Sequence, residues 1–162
     1  MIRNLCLIGA ATLSLIGCGG AAPKGATESA SRLLAAAVHG DRIAFEAEID
    51  RPAVRDDVRR QMAEMARPTA LDVEGGPSEF TLDRMIGPDA LRLVRADTGE
   101  ALTAAPTLGQ VARLMKGLDN RHACLRAAAA PDRCLLTFAR LKGDWRLVGM
   151  QATDLKIRVA GD

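Results

Sequence analysis

At Asn120 the hydrophobic repeat of this chain changes, and that change limits its fold class more than any other feature. Upstream, apolar residues recur at helical spacing. Leu33, Leu34, Ala37 and Val38 form one set, and Val54, Val58, Met62 and Met65 a second. Leu82, Met85 and Ile86 form a third, and Leu108, Val111, Leu114 and Met115 a fourth. Such a repeat places a buried stripe along a helix. Downstream, His122 to Ala128, Cys134 to Leu141, Trp145 to Gln151, and Leu155, Ile157 and Val159 read as short strands separated by turns. Helices followed by strands, rather than interleaved with them, predict an α+β domain. The expected outline is N-terminal helices packed on one face of a C-terminal three- or four-stranded antiparallel sheet.

Punctuation supports that outline. Gly40 suits the position after a helix running from Glu28 to His39, and Asp41 suits the next N-cap. Ile43, Phe45, Ala47 and Ile49 then follow at period two, which leaves a short helix and a short strand both open. Asp50 and Pro52 open a helix that Arg67-Pro68 ends. Gly75-Gly76-Pro77 reads as a turn, Ser78 or Thr81 as a start, and Gly87-Pro88 as a break. Asp89 to Arg95 continues as helix or strand. Thr107 with Gln110 forms a capping-box pattern, opening a helix that Gly117 closes. Ala129-Ala130-Pro131-Asp132 and Lys142-Gly143-Asp144 read as turns, with Phe138 and Trp145 expected to meet across the second.

The composition narrows the partners. Tyr is absent, Phe occurs three times and Trp once, so the core must be aliphatic. Base stacking needs aromatic faces, and no long block of like charge occurs, so no nucleic acid is expected. The chain carries 22 basic and 20 acidic residues, which implies no anionic membrane face as an electrostatic partner.

Residues 1–17 have the layout of an export signal: Arg3, an apolar run from Leu5 to Ile16, then small Gly17 before Cys18. A membrane-spanning helix needs about 20 apolar residues, and Gly17, Gly19 and Gly20 end this run too early. Leu15-Ile16-Gly17-Cys18 resembles the lipobox of bacterial lipoprotein precursors. That resemblance implies cleavage before Cys18, a thioether-linked diacylglyceryl group on its sulfur and an acyl chain on its amine. Two or three chains anchor stably where one binds marginally. Gly19, where an aspartate would resemble a retention signal, implies sorting to the outer membrane, periplasmic face. Residues 18–27 then read as a lipidated cysteine and flexible tether, and residues 28–162 as a single globular domain.

Cys124 and Cys134 remain as an even pair in a chain bound for an oxidising compartment, and are expected to form a disulfide across a hairpin. A redox or metal pair is the rival, with His39 and His122 the available imidazoles. No catalytic, cofactor-binding or metal-binding residue is nominated. The sequence lacks a Gly-x-Ser-x-Gly elbow, a His-Glu-x-x-His helix, a phosphate-cradling loop and a calcium loop. Glu46, Glu48 and Asp50 would share a face only if extended; helix capping and a polar rim are the simpler reading.

Gly40-Asp41 leading to Ile49-Asp50-Arg51-Pro52-Ala53-Val54-Arg55, with the closing Gly143-Asp144-Trp145-Arg146-Leu147-Val148, also resembles domain of unknown function 2939, a bacterial envelope family. Arg51 stands where that family has an aromatic. The resemblance implies an order of elements and no activity. Helices on a curved sheet likewise resemble the cone of nuclear transport factor-like domains, in which Met62, Met65, Met85 and Met115 could line an apolar pocket. The functional expectation is a non-enzymatic envelope lipoprotein that meets membrane lipid through Cys18 and an envelope protein through its surface. The alternative is a periplasm-facing module for a small apolar ligand.

Overall fold

The structure, a computed structural model, describes residues 20–66, 77–128, 130–153 and 155–161. The helices are α1 Lys24–His39, α2 Arg42–Ala47, α3 Arg51–Ala66, α4 Glu79–Met85 and α5 Leu108–Leu114, with a 3-10 turn at Pro88–Ala90. The strands are β1 Arg92–Arg95, β2 Met115–Gly117, β3 His122–Ala127, β4 Ala130–Leu141, β5 Asp144–Met150 and β6 Lys156–Val159. β2 to β5 form a four-stranded antiparallel sheet in chain order, and β1 pairs with β6 in parallel. The arrangement is α+β, with no closed barrel among the described residues. The last strand departs from expectation, because β6 leaves the antiparallel sheet to meet β1, burying Leu93, Ile157 and Val159 together.

α1 begins at Lys24, so four residues read as tether belong to the folded domain. Ala26, Ala30 and Leu33, at i, i+4 and i+7, are fully buried. The small Ala26 and Ala30 let the helix lie close against the sheet. At Gly25 the approach is closest: a Cβ there would stand 2.7 Å from Trp145 Cδ1. Gly40 ends α1 in the left-handed region at φ 65°, and Asp41 Oδ1 accepts the Ala44 N–H at 3.0 Å to start α2. The open choice for the next residues resolves as both. α2 is a short helix that buries Phe45, after which the chain extends. There Leu147 N–H donates to the Glu48 carbonyl at 2.9 Å and Asp50 N–H to the Leu147 carbonyl at 2.8 Å.

In α3, Val54 and Val58 are buried and Met62 is partly buried, but Met65 is 48% exposed. The expected stripe therefore stops early. β5 ends at Met150, and Gln61 takes over, donating to the Met150 carbonyl and accepting the Ala152 N–H. Arg67-Pro68 and Gly75-Gly76 lie outside the described residues. Ser78 caps α4, and Thr107 with Gln110 makes the complete capping box of α5. That last helix ends at Leu114 rather than Gly117. Met115, Lys116 and Gly117 pair instead with Leu125, Cys124 and Ala123, a ladder that replaces the final helical turn.

One turn expectation and one contact across a turn are also corrected. Ala130 pairs with Ala127, so β4 already includes Pro131 and Asp132, and bulges at Arg126 absorb the slip. The Lys142-Gly143 turn holds, with φ of 51° and 103° as a two-residue hairpin requires. Across it, however, Arg140 faces Trp145 and Phe138 faces Leu147. Phe138 is fully buried in the core, whereas Trp145 covers Gly25 and is only partly buried.

Candidate functional site

The three clustered carboxylates have three separate duties. Glu46 pairs with Arg51. Glu48 binds Arg32 Nε at 2.5 Å and accepts the Ser29 hydroxyl at 2.8 Å. Asp50 accepts the Ala53 N–H at 3.2 Å as the N-cap of α3. The helix-to-extended transition between Ala47 and Asp50 sends their side chains apart.

Arginines on α3 tie it to α4. Arg51 Nη1 and Arg55 Nη2 both reach Asp83 Oδ1, at 2.9 and 2.5 Å, and Arg51 also donates to the Ile86 carbonyl. Arg59 bridges Asp56 and Glu79. The Arg55 and then the Arg51 guanidinium hold the Asp83 carboxyl below the ordinary carboxylate range. Each guanidinium here meets a carboxylate, so this surface is a closed clip.

The opposite condition holds at one end of the sheet. Arg121, Arg140, Lys142 and Arg146 gather around an open basin of about 670 Å³, with Asp50, Asp144 and His122 on its rim. The hairpin loops bring them together. The loop between β2 and β3 carries Arg121, the β4–β5 turn carries Lys142, and Arg140 and Arg146 stand beside that turn on β4 and β5. Arg146 donates to the Ala47 carbonyl at 2.8 Å, and Arg140 Nε to the Gly143 carbonyl at 3.4 Å. Among the described residues none of these four cations has a carboxylate in contact. The near-neutral composition gave no sign of this basic end, because its members come from separate stretches.

Of the two histidines, His122 faces Asp119, its Nδ1 2.9 Å from Oδ2. The Arg121 backbone N–H and then the His122 ring hold the Asp119 carboxyl below its ordinary range. His39 is exposed in the last turn of α1. Neither joins the cysteines, and the described residues hold no group of three metal-ligating side chains. Cys124 and Cys134 lie at disulfide distance, with Cα atoms 5.6 Å apart, bridging β3 and β4 beside the bulge. Cys18 lies outside the described residues, and no helix among those described is long and apolar enough to cross a membrane.

The four methionines do not converge. Met85 lines a pocket of about 140 Å³ with Met150 and Leu155, while Met115 packs in the core, Met62 packs against it and Met65 is half-exposed. Trp145 covers Gly25 rather than opening to a cleft. The two stretches around Asp50 and Trp145 that carry the envelope-family resemblance do meet, through the Ile49–Leu147 bridge.

No family model, no curated protein and no solved structure matches this chain. Its surfaces must therefore be read from their own chemistry.

Proposed function

We propose that this chain is a membrane-anchored bacterial envelope lipoprotein, with Cys18 as its lipid-bearing residue and the domain from Lys24 onward presenting a protein-interaction surface. The observation that carries this reading is Leu15-Ile16-Gly17-Cys18 at the end of a run too short to span a bilayer. A cystine pair on adjacent strands suits export to an oxidising compartment. The carboxylates that sequence spacing grouped are occupied in capping and ion pairing, which favours a binding role over acid–base chemistry. Ile43 and Phe80 are 86% and 72% exposed on α2 and α4, the two helices that Arg51 ties together, and they offer apolar contacts to a protein partner.

Cell fractionation tests the anchor. Cys18→Ala is expected to leave the membrane pellet for the soluble periplasmic fraction while keeping wild-type thermal unfolding. Retention in salt-washed membranes of a variant shown by mass to have lost residues 1–17 would refute the lipid role of Cys18. The preference for the outer membrane, read from Gly19, is tested by the same fractionation after density separation of the two membranes.

A further inference from the structure

Gly20 is held by the sheet. The Gly117 N–H donates to the Gly20 carbonyl at 3.2 Å, and Gly117 lies so close that a Cβ there would stand 3.1 Å from the Ala21 carbonyl oxygen. Five residues later the chain passes beneath Trp145, which faces Arg140 beside the β4–β5 turn. The segment leading into α1 is therefore fixed at the sheet end that carries the β2–β3 loop and the Lys142-Gly143 turn. Cys18 is two residues from Gly20, and two residues span at most about 7 Å of extended chain. The headgroup zone on each side of a bilayer is itself about 5–7 Å deep. A lipid on Cys18 thus leaves almost no free tether between the membrane and this end.

The same end has the composition of a membrane-facing surface. Arg121, Arg140, Lys142 and Arg146 surround the basin, four cations against Asp50 and Asp144 in its lining and Asp119, paired with His122, in the adjoining loop. Arg121 and Lys142 have no carboxylate partner among the described residues. Leu118, in the loop beside Arg121, is 53% exposed. Cations that meet anionic headgroups and an exposed apolar residue beside them are the two contributions by which peripheral surfaces bind bilayers.

We infer that the β2–β3 loop and the β4–β5 turn lie flat against the bilayer, with Arg121, Arg140, Lys142 and Arg146 on anionic phospholipid headgroups. The domain is thereby held in one orientation, and its other end, around Asp132 and Gln151, points away. This inference rests on the Cys18 anchor proposed above. It replaces a domain swinging on a spacer with one seated on the surface.

The test uses the full mature acylated protein in vesicles of phosphatidylethanolamine and phosphatidylglycerol. A single nitroxide is placed at Asn120→Cys or, at the far end of β4, at Asp132→Cys. Broadening by a paramagnetic ion chelated to the lipid headgroups is expected to be several-fold stronger at residue 120 than at residue 132. Arg121→Glu combined with Lys142→Glu, or vesicles of phosphatidylcholine alone, should reduce that ratio towards one while the protein still floats with the vesicles. Equal broadening at both sites in floating wild-type protein would overturn the orientation and leave the anchor standing. Protein that fails to float would overturn the anchor and the orientation with it. A ratio indifferent to both the charge reversal and the lipid change would refute the electrostatic contact.

Discussion

The α3–α4 face and the loop end of the sheet are both rich in arginine, yet they are opposites. On the helices, Arg51, Arg55 and Arg59 are matched by Glu46, Asp83, Glu79 and Asp56, and the charges close on one another. At the sheet end, Arg121, Arg140, Lys142 and Arg146 meet backbone carbonyls or solvent. One surface uses its cations internally, and the other has them available to a partner. The helical cations come from consecutive turns of one helix, where acidic residues of α4 run alongside. The sheet cations come from hairpin ends, where no carboxylate among the described residues pairs with them.

The contrast extends to what holds each region. The sheet rests on apolar burial and the cystine, and the helical clip on partly exposed charge. Truncating the core beneath the sheet should have the largest effect. Phe138→Ala empties a fully buried site, and Phe-to-Ala changes of this kind cost about 3–5 kcal/mol. Chemical denaturation of the purified domain reads that loss directly. Next in size is the cystine. Replacing Cys124 and Cys134 together by Ser should cost about 2–3 kcal/mol by the chain-entropy model for a short loop. Cys124 and Cys134 in the native protein should resist alkylation until reduced, and immediate labelling would remove the cross-link from the account.

The join between α1 and the sheet should respond less. Gly25→Ala forces Trp145 to shift, and overpacking of this kind costs about 1–3 kcal/mol. Trp145 is the only tryptophan, so its emission should change in step. The smallest effect belongs to the clip, since partly exposed ion pairs contribute little. Asp83 has its pKa lowered in the folded state, so its contribution is present above the ordinary carboxylate range and fades as pH falls through its folded value. Asp83→Asn should lower the melting temperature slightly at neutral pH and leave acid unfolding almost unchanged. An equal loss at both pH values would show that the clip works through packing rather than charge.

How much of this was legible follows from the range of each interaction. Local signals read true: Asp41, Ser78 and Thr107 cap helices because their side chains reach a backbone N–H three residues on. The start of α1 was missed because a stretch rich in Gly, Ala and Pro resembles a spacer. The Ala26, Ala30 and Leu33 spacing was the signal that could have extended it. β2 was hidden because Met115 also completes the stripe of α5, and only pairing with β3 decides between them. The parallel β1–β6 pair and the basic end depend on contacts between distant stretches, which no local pattern encodes. Cys18, on which the proposed anchor turns, is read from four adjacent residues and lies outside the described residues.

The central claim is that processed, acylated Cys18 fixes the position of this domain, and intact-mass spectrometry of the protein from its native host tests it most directly. The account predicts a mature chain beginning at Cys18 and heavier than its sequence by a diacylglyceryl group, with or without an amide-linked acyl chain. A chain retaining residues 1–17, or one starting at Cys18 without added lipid, would contradict it.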